Sequence, residues 1–214
     1  MTTVGLAATL AYAAYEDTPG GISGAYGGHA TVQVVEEPTP AIVIAFRGSE
    51  SITDCIVNGM RWKTRFTPFA NRRARVHAGF MAQYTGLRVA IFGHVLSSHR
   101  ENTELELIVT GHSLGGALAT MFAAELATVL PQSTIQCYAF NSPRVGNAAF
   151  VTEVSHLPNV HIRRWNTAYD VVPCLPCWGY VHTPGVRYVA APPGSTVRSR
   201  HSMAVLVSLL SQTA

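Results

Sequence analysis

Residues 105–130 read LELIVTGHSLGGALATMFAAELATVL, and this stretch is the strongest indication of the fold in the sequence. LELIVT is a short run of residues that favour β-structure, and it leads into Gly111-His112-Ser113-Leu114-Gly115. Apolar residues then recur at helical spacing until Pro131, where a helix must stop. A strand, a sharp turn and a helix around GxSxG predict a nucleophile elbow with Ser113 as the nucleophile.

The residue types in this turn suit a reactive serine. A serine hydroxyl is a weak nucleophile unless a base removes its proton, and a strained turn exposes it to both base and substrate. Gly111 and Gly115 flank the turn because a Cβ at either position would crowd the strand against the helix. An accidental GxSxG before a core helix is the alternative, and the strand and helix patterns argue against it.

The composition is that of a globular chain. Of the 214 residues, 48% are hydrophobic and 13% are charged, and no repeat or long linker interrupts them, so we expect one domain over residues 1–214. The first fifteen residues lack a basic n-region and are too short to span a bilayer, which favours a helix over a signal peptide. The cysteines are too few for a disulfide scaffold, so we expect a cytoplasmic rather than a secreted protein. They are Cys55, Cys137, Cys174 and Cys177.

Strand and helix patterns alternate on both sides of the elbow. Predicted strands are HATVQVV (29–35), AIVIAFRG (41–48), TIQCYAF (134–140), NVHIRRW (159–165) and an extended pair at GYVH and VRYVA (179–182 and 186–190). Predicted helices cover residues 77–99, 114–130, 147–157 and a terminal segment from His201. This alternation predicts an α/β fold with a mostly parallel central sheet flanked by helices.

The acid that would orient a catalytic histidine can be chosen by elimination. In α/β-hydrolases the acid and then the histidine follow the serine along the chain. Downstream of Ser113 the acidic residues are Glu125, Glu153 and Asp170. Both glutamates lie on predicted helices, whereas Asp170 follows the strand NVHIRRW at the sheet edge where ligand sites gather. We therefore assign Asp170 as the acid.

Two histidines follow Asp170 and are candidates for the base. His201 comes after a Pro/Gly loop at the predicted start of the last helix, a position from which a loop can reach over the sheet. His182 lies inside an extended segment. We select His201 as the base and keep His182 as the alternative.

A basic face is predicted between Cys55 and Arg100, a range without Asp or Glu. RWKTRF at 61–66 alternates basic with apolar or Thr residues, as a strand with one solvated face would. No nucleic-acid-binding motif accompanies it, so we expect no nucleic-acid partner, and an anionic lipid surface is the alternative to an ordinary solvated face. The basic residues are Arg61, Lys63, Arg65, Arg72, Arg73, Arg75 and Arg88.

Metal chemistry has little support in the sequence. Cys174-Leu-Pro-Cys177 has redox or zinc spacing, but a second CxxC and an HExxH motif are both missing from the sequence. The nine histidines are scattered along the chain. We therefore expect no metal site and no other cofactor.

A set of motifs resembles the class 3 lipases, the family of the small filamentous-fungal triacylglycerol lipases. The resemblance runs from about Ala41 to the C-terminus and implies an α/β-hydrolase fold in which Ser113, Asp170 and His201 form the catalytic triad. It also implies an oxyanion hole made by Ser49 and by the backbone N–H of Leu114. The motifs are FRGSES (46–51), VHAGF (76–80), GHSLGG (111–116), FNSPRVGN (140–147), YDVVP (169–173) and HSM (201–203).

The resemblance implies a carboxylic ester hydrolase that cleaves acylglycerols through an acyl-enzyme, without a cofactor. Phospholipase A1 and feruloyl-type esterase share this machinery, and a non-catalytic lipid-binding module is the alternative of another class. The expected partners are an acylglycerol or another acyl ester and, as a further candidate, a lipid–water interface. The sequence does not define an oligomeric state.

Two departures from the fungal pattern concern the acyl pocket. Fungal enzymes carry a short amphipathic lid where this chain has Glu50–Met60, and Cys55 stands where some relatives carry an aromatic residue. An ordinary core-facing helical turn is the alternative for this segment. The interval from Asp170 to His201 is much shorter than in the secreted fungal enzymes, so we expect trimmed loops around the pocket.

Overall fold

The computed structural model describes residues 2–16, 21–36, 39–49 and 62–211. In these ranges the helices are α1 (Thr3–Ala13), α2 (Ala78–Glu101), α3 (Leu114–Val129), α4 (Ala148–Ser155), α5 (Val197–Arg200) and α6 (Met203–Ser211). The strands are β1 (Ile22–Ser23), β2 (His29–Val35), β3 (Ala41–Phe46), β4 (Lys63–Arg65), β5 (Arg75–His77), β6 (Glu106–His112), β7 (Ile135–Phe140), β8 (Val160–Thr167) and β9 (Val186–Val189).

One sheet organises the described residues, with strand order β1-β2-β3-β6-β7-β8-β9. The β1–β2 and β2–β3 pairs are antiparallel, and every pair from β3 to β9 is parallel. The predicted mostly parallel sheet is therefore confirmed. Strand β6, which leads into Ser113, lies between β3 and β7 in the middle of the sheet. Strands β4 and β5 form a separate antiparallel pair.

Helices cover both faces of the sheet, and this explains the continuous apolar run of β3. Successive strand residues point to opposite faces. Ile42 and Ile44 pack with the cluster formed by α2, α3 and α4, whereas Ala41 and Val43 pack with the cluster formed by α1 and α6. Every residue of β3 is buried as a result.

Helix α3 is buried almost throughout its length, because it crosses the centre of one face of the sheet. Leu114 to Ala127 are all buried, and the helix ends at Val129, two residues before Pro131. The sequence predicted this end, since proline cannot continue a helix. The predicted apolar face of α2 is also confirmed, with Phe80, Tyr84 and further residues at helical spacing buried.

Two elements differ from the sequence-based expectation. The segments GYVH and VRYVA do not pair with each other: Val181 bridges Gly146, while β9 pairs in parallel with β8. The last helical segment is divided, because Thr196 accepts a hydrogen bond from the Ser199 N–H and begins the separate short helix α5. His201 is therefore the C-cap of α5 and lies before α6, rather than opening the terminal helix.

Candidate active site

Ser113 occupies the sharp turn between β6 and α3. Its backbone has φ 60° and ψ −126°, a conformation that L-residues rarely adopt and that concentrates at functional sites. A Cβ on Gly111 would lie 2.3 Å from the Gly115 carbonyl oxygen, and a Cβ on Gly115 would lie 2.2 Å from the Phe46 carbonyl oxygen. Both glycines are thus steric requirements of the turn, as their positions in the sequence predicted.

A continuous chain of hydrogen bonds joins the three residues selected from the sequence. His201 Nε2 lies 2.7 Å from Ser113 Oγ, and His201 Nδ1 lies 2.7 Å from Asp170 Oδ2. Because the Asp170 carboxylate can only accept, Nδ1 carries the proton and Nε2 is left as the acceptor facing the serine hydroxyl. This tautomer is the one that a general base requires.

Asp170 is held by its own loop at the carboxyl end of β8. The Asp170 N–H donates to the Thr167 carbonyl at 3.2 Å, and the Val172 N–H donates to Asp170 Oδ1 at 3.0 Å. The carboxylate is fully shielded from solvent. One oxygen is therefore fixed by backbone, and the other is directed at His201.

His182, the alternative base, lies elsewhere in the loop. Its Nε2 lies 2.6 Å from the Pro173 carbonyl oxygen, to which it donates. Burial, reinforced by the nearby Arg164 charge, lowers the pKa of His182 to about 4. The structure therefore places His201, and not His182, beside Ser113.

A second histidine borders the site, and the sequence reasoning missed it. His112 precedes the nucleophile, and its ring centroid lies 4.7 Å from that of His201. Its Nδ1 lies 2.8 Å from the hydroxyl of Tyr15, just beyond α1. Burial, followed by the electrostatic effect of His201, holds the pKa of His112 well below its usual range. Its place inside GHSLGG was the available signal, but the contact with Tyr15 spans 97 residues.

The two residues that the resemblance implied as oxyanion donors flank the nucleophile. Leu114 begins α3, and the N–H groups of a helix's first turn have no acceptor within the helix. Ser49 follows β3 in a loop packed against the elbow, where a Cβ on Gly48 would lie 2.0 Å from the Tyr15 hydroxyl and 2.6 Å from the His112 carbonyl oxygen. This crowding brings the Ser49 loop against the end of β6.

A cleft with a volume of about 660 Å³ lies over this arrangement. Its polar wall includes Ser49, Asp170 and His201, while Ser113 itself is fully buried. Much of the remaining wall is apolar, so the cleft suits a largely hydrophobic ligand. The apolar wall includes Tyr12, Val171, Val172, Val197 and Met203.

The remaining predictions concern the lid segment, the basic face, the cysteines and metal binding. The lid segment Glu50–Met60, with Cys55, and Arg61 of the basic face lie outside the described residues. Within the described face, Arg88 forms an ion pair with Glu125 instead of facing solvent alone. Cys174 and Cys177 are exposed free thiols. Across residues 2–16, 21–36, 39–49 and 62–211, no group of three or more His, Cys, Asp or Glu side chains could hold a metal ion.

The parallel sheet with a serine elbow, a histidine and a buried aspartate defines the class of α/β-hydrolases with a serine nucleophile. Residues 43–180 match the class 3 lipase family, and the chain belongs to that family. The resemblance stated from the motifs and the predicted α/β-hydrolase fold are thereby confirmed.

Individual relatives agree with this assignment. A secreted mono- and diacylglycerol lipase A of Penicillium cyclopium is 32% identical over 166 residues, which are 76% of this chain and 52% of that protein. The triacylglyceride lipase of Rhizomucor miehei superimposes with a TM-score of 0.72 and 28% identity, over 79% of this chain and 64% of that one. A triacylglycerol lipase described as having a serine-protease-like catalytic triad superimposes with a TM-score of 0.74 and 25% identity, covering 88% and 82% of the two chains. The chain thus spans about half of the Penicillium relative.

The relatives overturn the expected location. Several fungal relatives are named as secreted lipases, so the expectation of a cytoplasmic protein was wrong. The error arose because a low cysteine count and an uncharged first segment are compatible with either compartment. In the part of the chain that the structure describes, no helix is both long and apolar enough to cross a bilayer.

Proposed function

We propose that this chain is a secreted carboxylic ester hydrolase that cleaves acylglycerols, with Ser113 as nucleophile, His201 as base and Asp170 as the orienting acid. The observation that carries the proposal is the unbroken hydrogen-bond chain from Asp170 Oδ2 through His201 to Ser113 Oγ, with both distances at 2.7 Å. The named activities of the relatives supply the substrate class.

In the first half of the reaction, His201 Nε2 takes the proton of Ser113 as Oγ attacks the ester carbonyl. The resulting imidazolium is stabilised by the Asp170 carboxylate at Nδ1 and then donates its Nε2 proton to the departing alcohol. Neighbouring His112 has a lowered pKa and stays neutral, so it adds no opposing positive charge beside this imidazolium.

In the second half, water replaces the alcohol. His201 removes a proton from the water as the water oxygen attacks the acyl carbonyl. The C–O bond to Ser113 then breaks, and Ser113 Oγ takes back the proton from His201. We assign the stabilisation of both tetrahedral intermediates to Ser49 and to the Leu114 N–H. Removing the Ser49 hydroxyl should lower turnover by roughly two to three orders of magnitude if it donates to the oxyanion.

The apolar cleft suits an acyl chain, and the activities for which the relatives are named favour acylglycerols as substrates. Phospholipase A1 and feruloyl-type esterase activities would use the same triad, and assays on phospholipid and feruloyl esters distinguish them from acylglycerol hydrolysis. Initial rates on glycerol esters of increasing acyl length, taken through each solubility limit, define the pocket. A rate that jumps at the solubility limit would indicate interfacial activation, and a rate that stays smooth would argue against it.

We also propose that the enzyme works on a lipid–water interface. Trp62 and Trp178 are 73% and 84% exposed, which is unusual for large aromatic residues outside binding surfaces. Lys63 Nζ lies 3.2 Å from the Trp178 carbonyl oxygen, and the β4–β5 register sets Arg65 opposite Arg75. Exposed tryptophans beside cations suit the headgroup region of an anionic surface.

Sedimentation with vesicles tests this surface. Trp178→Ala and Lys63→Glu should each weaken binding to phosphatidylglycerol-containing vesicles several-fold, with a smaller effect on phosphatidylcholine vesicles. Helix α2 begins beside Trp62, because the Ala78 N–H donates to the Trp62 carbonyl. Arg100→Glu, at the C-terminal end of this helix, is the charge-matched control for Lys63→Glu. Equal effects of all three variants would contradict a docking role for this surface.

The decisive test of the catalytic proposal uses Ser113. Ser113→Ala should remove about 10⁴-fold or more of the esterase turnover, and a fluorophosphonate probe should label wild type but not this variant. Ser155→Ala, on the exposed side of α4, is the matched control and should behave like wild type. An unlabelled, inactive wild type would instead support the non-catalytic lipid-binding module.

A further inference from the structure

The end of β7 contains a buried polar residue that the reaction scheme above does not use. Asn141 directly follows β7, which lies between the strand leading to Ser113 and the strand leading to Asp170. It is fully buried and has a φ of 46°. Asparagine is one of the few residues with a Cβ that tolerate this left-handed conformation, so the backbone leaves its side chain directed inward at modest cost.

The Asn141 side chain joins two separate loops. Its Oδ1 accepts the Thr167 N–H at 2.7 Å, and its Nδ2 donates to Thr167 Oγ1 at 3.2 Å and to the Arg200 carbonyl at 3.3 Å. A peptide N–H can only donate and a carbonyl can only accept, so these partners fix which amide atom is oxygen and which is nitrogen. Thr167 begins the turn that carries Asp170, and Arg200 immediately precedes His201.

The main chain at the same point contacts the third segment. The Phe140 carbonyl accepts the Ser113 N–H at 2.9 Å, and the Asn141 N–H donates to the Trp165 carbonyl at 2.8 Å. Residues 140–141 therefore make direct hydrogen bonds to the nucleophile itself and to the chain just ahead of Asp170 and of His201.

We propose that Asn141 is a positioning residue that holds the acid loop and the base loop in a fixed relation, so that His201 faces both Asp170 and Ser113. The inference rests on the proposed function, because it concerns the alignment of that same triad. Asn141 does not border the described cleft, and its effect on the reaction passes through Thr167 and Arg200.

The geometry makes this alignment sensitive. Asp170 and His201 are 31 residues apart on loops from different elements, and hydrogen bonds weaken steeply when distance or angle changes. Losing Asn141 removes the hydrogen bond that ties the Arg200 peptide to Thr167 at the end of β8. A displacement of about 1 Å in a catalytic group can reduce the rate about 100-fold, so even partial relaxation should be measurable.

Asn141→Gly is the primary variant, because glycine accepts the positive φ without strain while the amide is deleted. The matched control is Asn159→Ala. Asn159 Nδ2 contacts the carbonyl oxygens of Ala127, Leu130 and Ser133 and also sits partly buried, but at the amino end of β8, far from the site. Both variants lose an amide that ties segments together, and only one of them touches the triad loops.

The measurements are kcat, KM on a soluble short-chain ester, and the rate constant of inactivation by a fluorophosphonate, all taken well below each variant's Tm. For Asn141→Gly we expect kcat and the inactivation rate to fall about 10-fold or more, with KM changed by less than about 2-fold. Asn159→Ala should lower Tm and leave all three constants near wild type.

Thr167→Val gives a second line that does not depend on the folding of the glycine variant. It keeps the peptide N–H that binds Asn141 and removes only the hydroxyl acceptor, so we expect a fall of about 2- to 4-fold in the inactivation rate. The double variant should lose no more than Asn141→Gly alone, because both changes act on one contact.

The outcomes separate this inference from the proposed function. If wild type is not labelled by the fluorophosphonate, the proposed function fails. If wild type is labelled and the Asn141→Gly and Thr167→Val variants react at the wild-type rate, or Asn159→Ala lowers kcat equally, the positioning role of Asn141 is overturned.

Discussion

Asp170 and Glu125 are two buried carboxylates that both follow the nucleophile along the chain, but their surroundings differ. Asp170 meets a backbone N–H at one oxygen and His201 at the other, and it borders the cleft. Histidine is the side chain whose charge changes most readily near neutral pH. The proton beside Asp170 can therefore move during a reaction.

Glu125 lies on α3 and is held by Arg88 and Tyr84 of α2. Burial, with the nearby Glu125 charge, raises the pKa of Tyr84 well above its usual range. The hydrogen bond to Glu125 also raises the pKa of the Arg88 guanidinium. Neither partner exchanges its proton near neutral pH, and Glu125 does not border the described cleft. Burial and pairing alone thus do not distinguish a reactive carboxylate, whereas a titratable partner at a cleft does.

Asp170→Asn should have the largest effect within this comparison. An amide at this position stabilises the wrong histidine tautomer and no longer stabilises the imidazolium, so kcat should fall by about 10³- to 10⁴-fold. Stopped-flow or steady-state hydrolysis of a soluble ester measures this loss. Retention of more than a tenth of the wild-type kcat would remove Asp170 from the proposed mechanism.

Glu125→Gln should show the opposite behaviour. Turnover should stay within about 3-fold of wild type, while the free energy of unfolding falls by about 2 to 3 kcal/mol, because Arg88 loses its charged partner and Tyr84 its strong acceptor. Urea unfolding followed by tryptophan fluorescence gives the stability. A large loss of turnover in a fully folded variant would mean that Glu125 also serves the reaction.

Acid should lower the free energy of unfolding, in part through His182. The pKa of His182 is lowered to about 4 in the folded chain, against about 6.5 for an ordinary histidine, so between these values the unfolded chain binds a proton that the folded chain does not. The stability from neutral His182 is complete above pH 6.5 and is lost as the pH falls toward 4, by roughly 3 kcal/mol for a shift of this size.

Urea midpoints measured from pH 7 to pH 4 test this dependence. His182→Gln keeps a donor for the Pro173 carbonyl and cannot titrate, so its midpoint should vary less with pH than that of wild type. The remaining dependence includes His112, whose pKa is also lowered by burial. Identical pH dependence in wild type and His182→Gln would contradict the assignment.

Tyr84→Phe should produce the smallest change. Glu125 keeps both contacts with Arg88, so the loss of one buried hydrogen bond should cost about 1 kcal/mol and leave turnover unchanged. Differential scanning calorimetry measures the shift in Tm. A loss as large as that of Glu125→Gln would show that the tyrosine, rather than the arginine, dominates the structural cluster.

Local patterns made much of this architecture predictable. The elbow, the buried run of β3 and the apolar face of α2 follow from spacing within single elements, and the choice between Asp170 and Glu125 needed only chain order and element type. The start of the last helix was misplaced because Thr196 and Ser199 form their own cap upstream of His201.

Contacts between distant residues could not be read from the sequence in the same way. Arg88 looked like part of a solvated basic face, but its partner Glu125 lies 37 residues away on a neighbouring helix. Asn141 stands inside the motif FNSPRVGN, yet the positioning role proposed for it depends on the Arg200 carbonyl, 59 residues later in the chain. Such pairings depend on helix packing and loop paths, which periodicity does not encode.

The backbone of the Ser49 loop packs tightly between Tyr15 and the start of α3. A Cβ at Gly48 would clash with the Tyr15 hydroxyl, and a Cβ at Gly115 would clash with the Phe46 carbonyl oxygen. Tyr15 lies ahead of residues 43–180, the region that matches the family. Two members that agree over that region can therefore differ in reactivity through a first helix that shifts this loop. Tuning of the proposed oxyanion hole should therefore start at Tyr15, which borders the same cleft and packs against the Ser49 loop without belonging to the proposed triad.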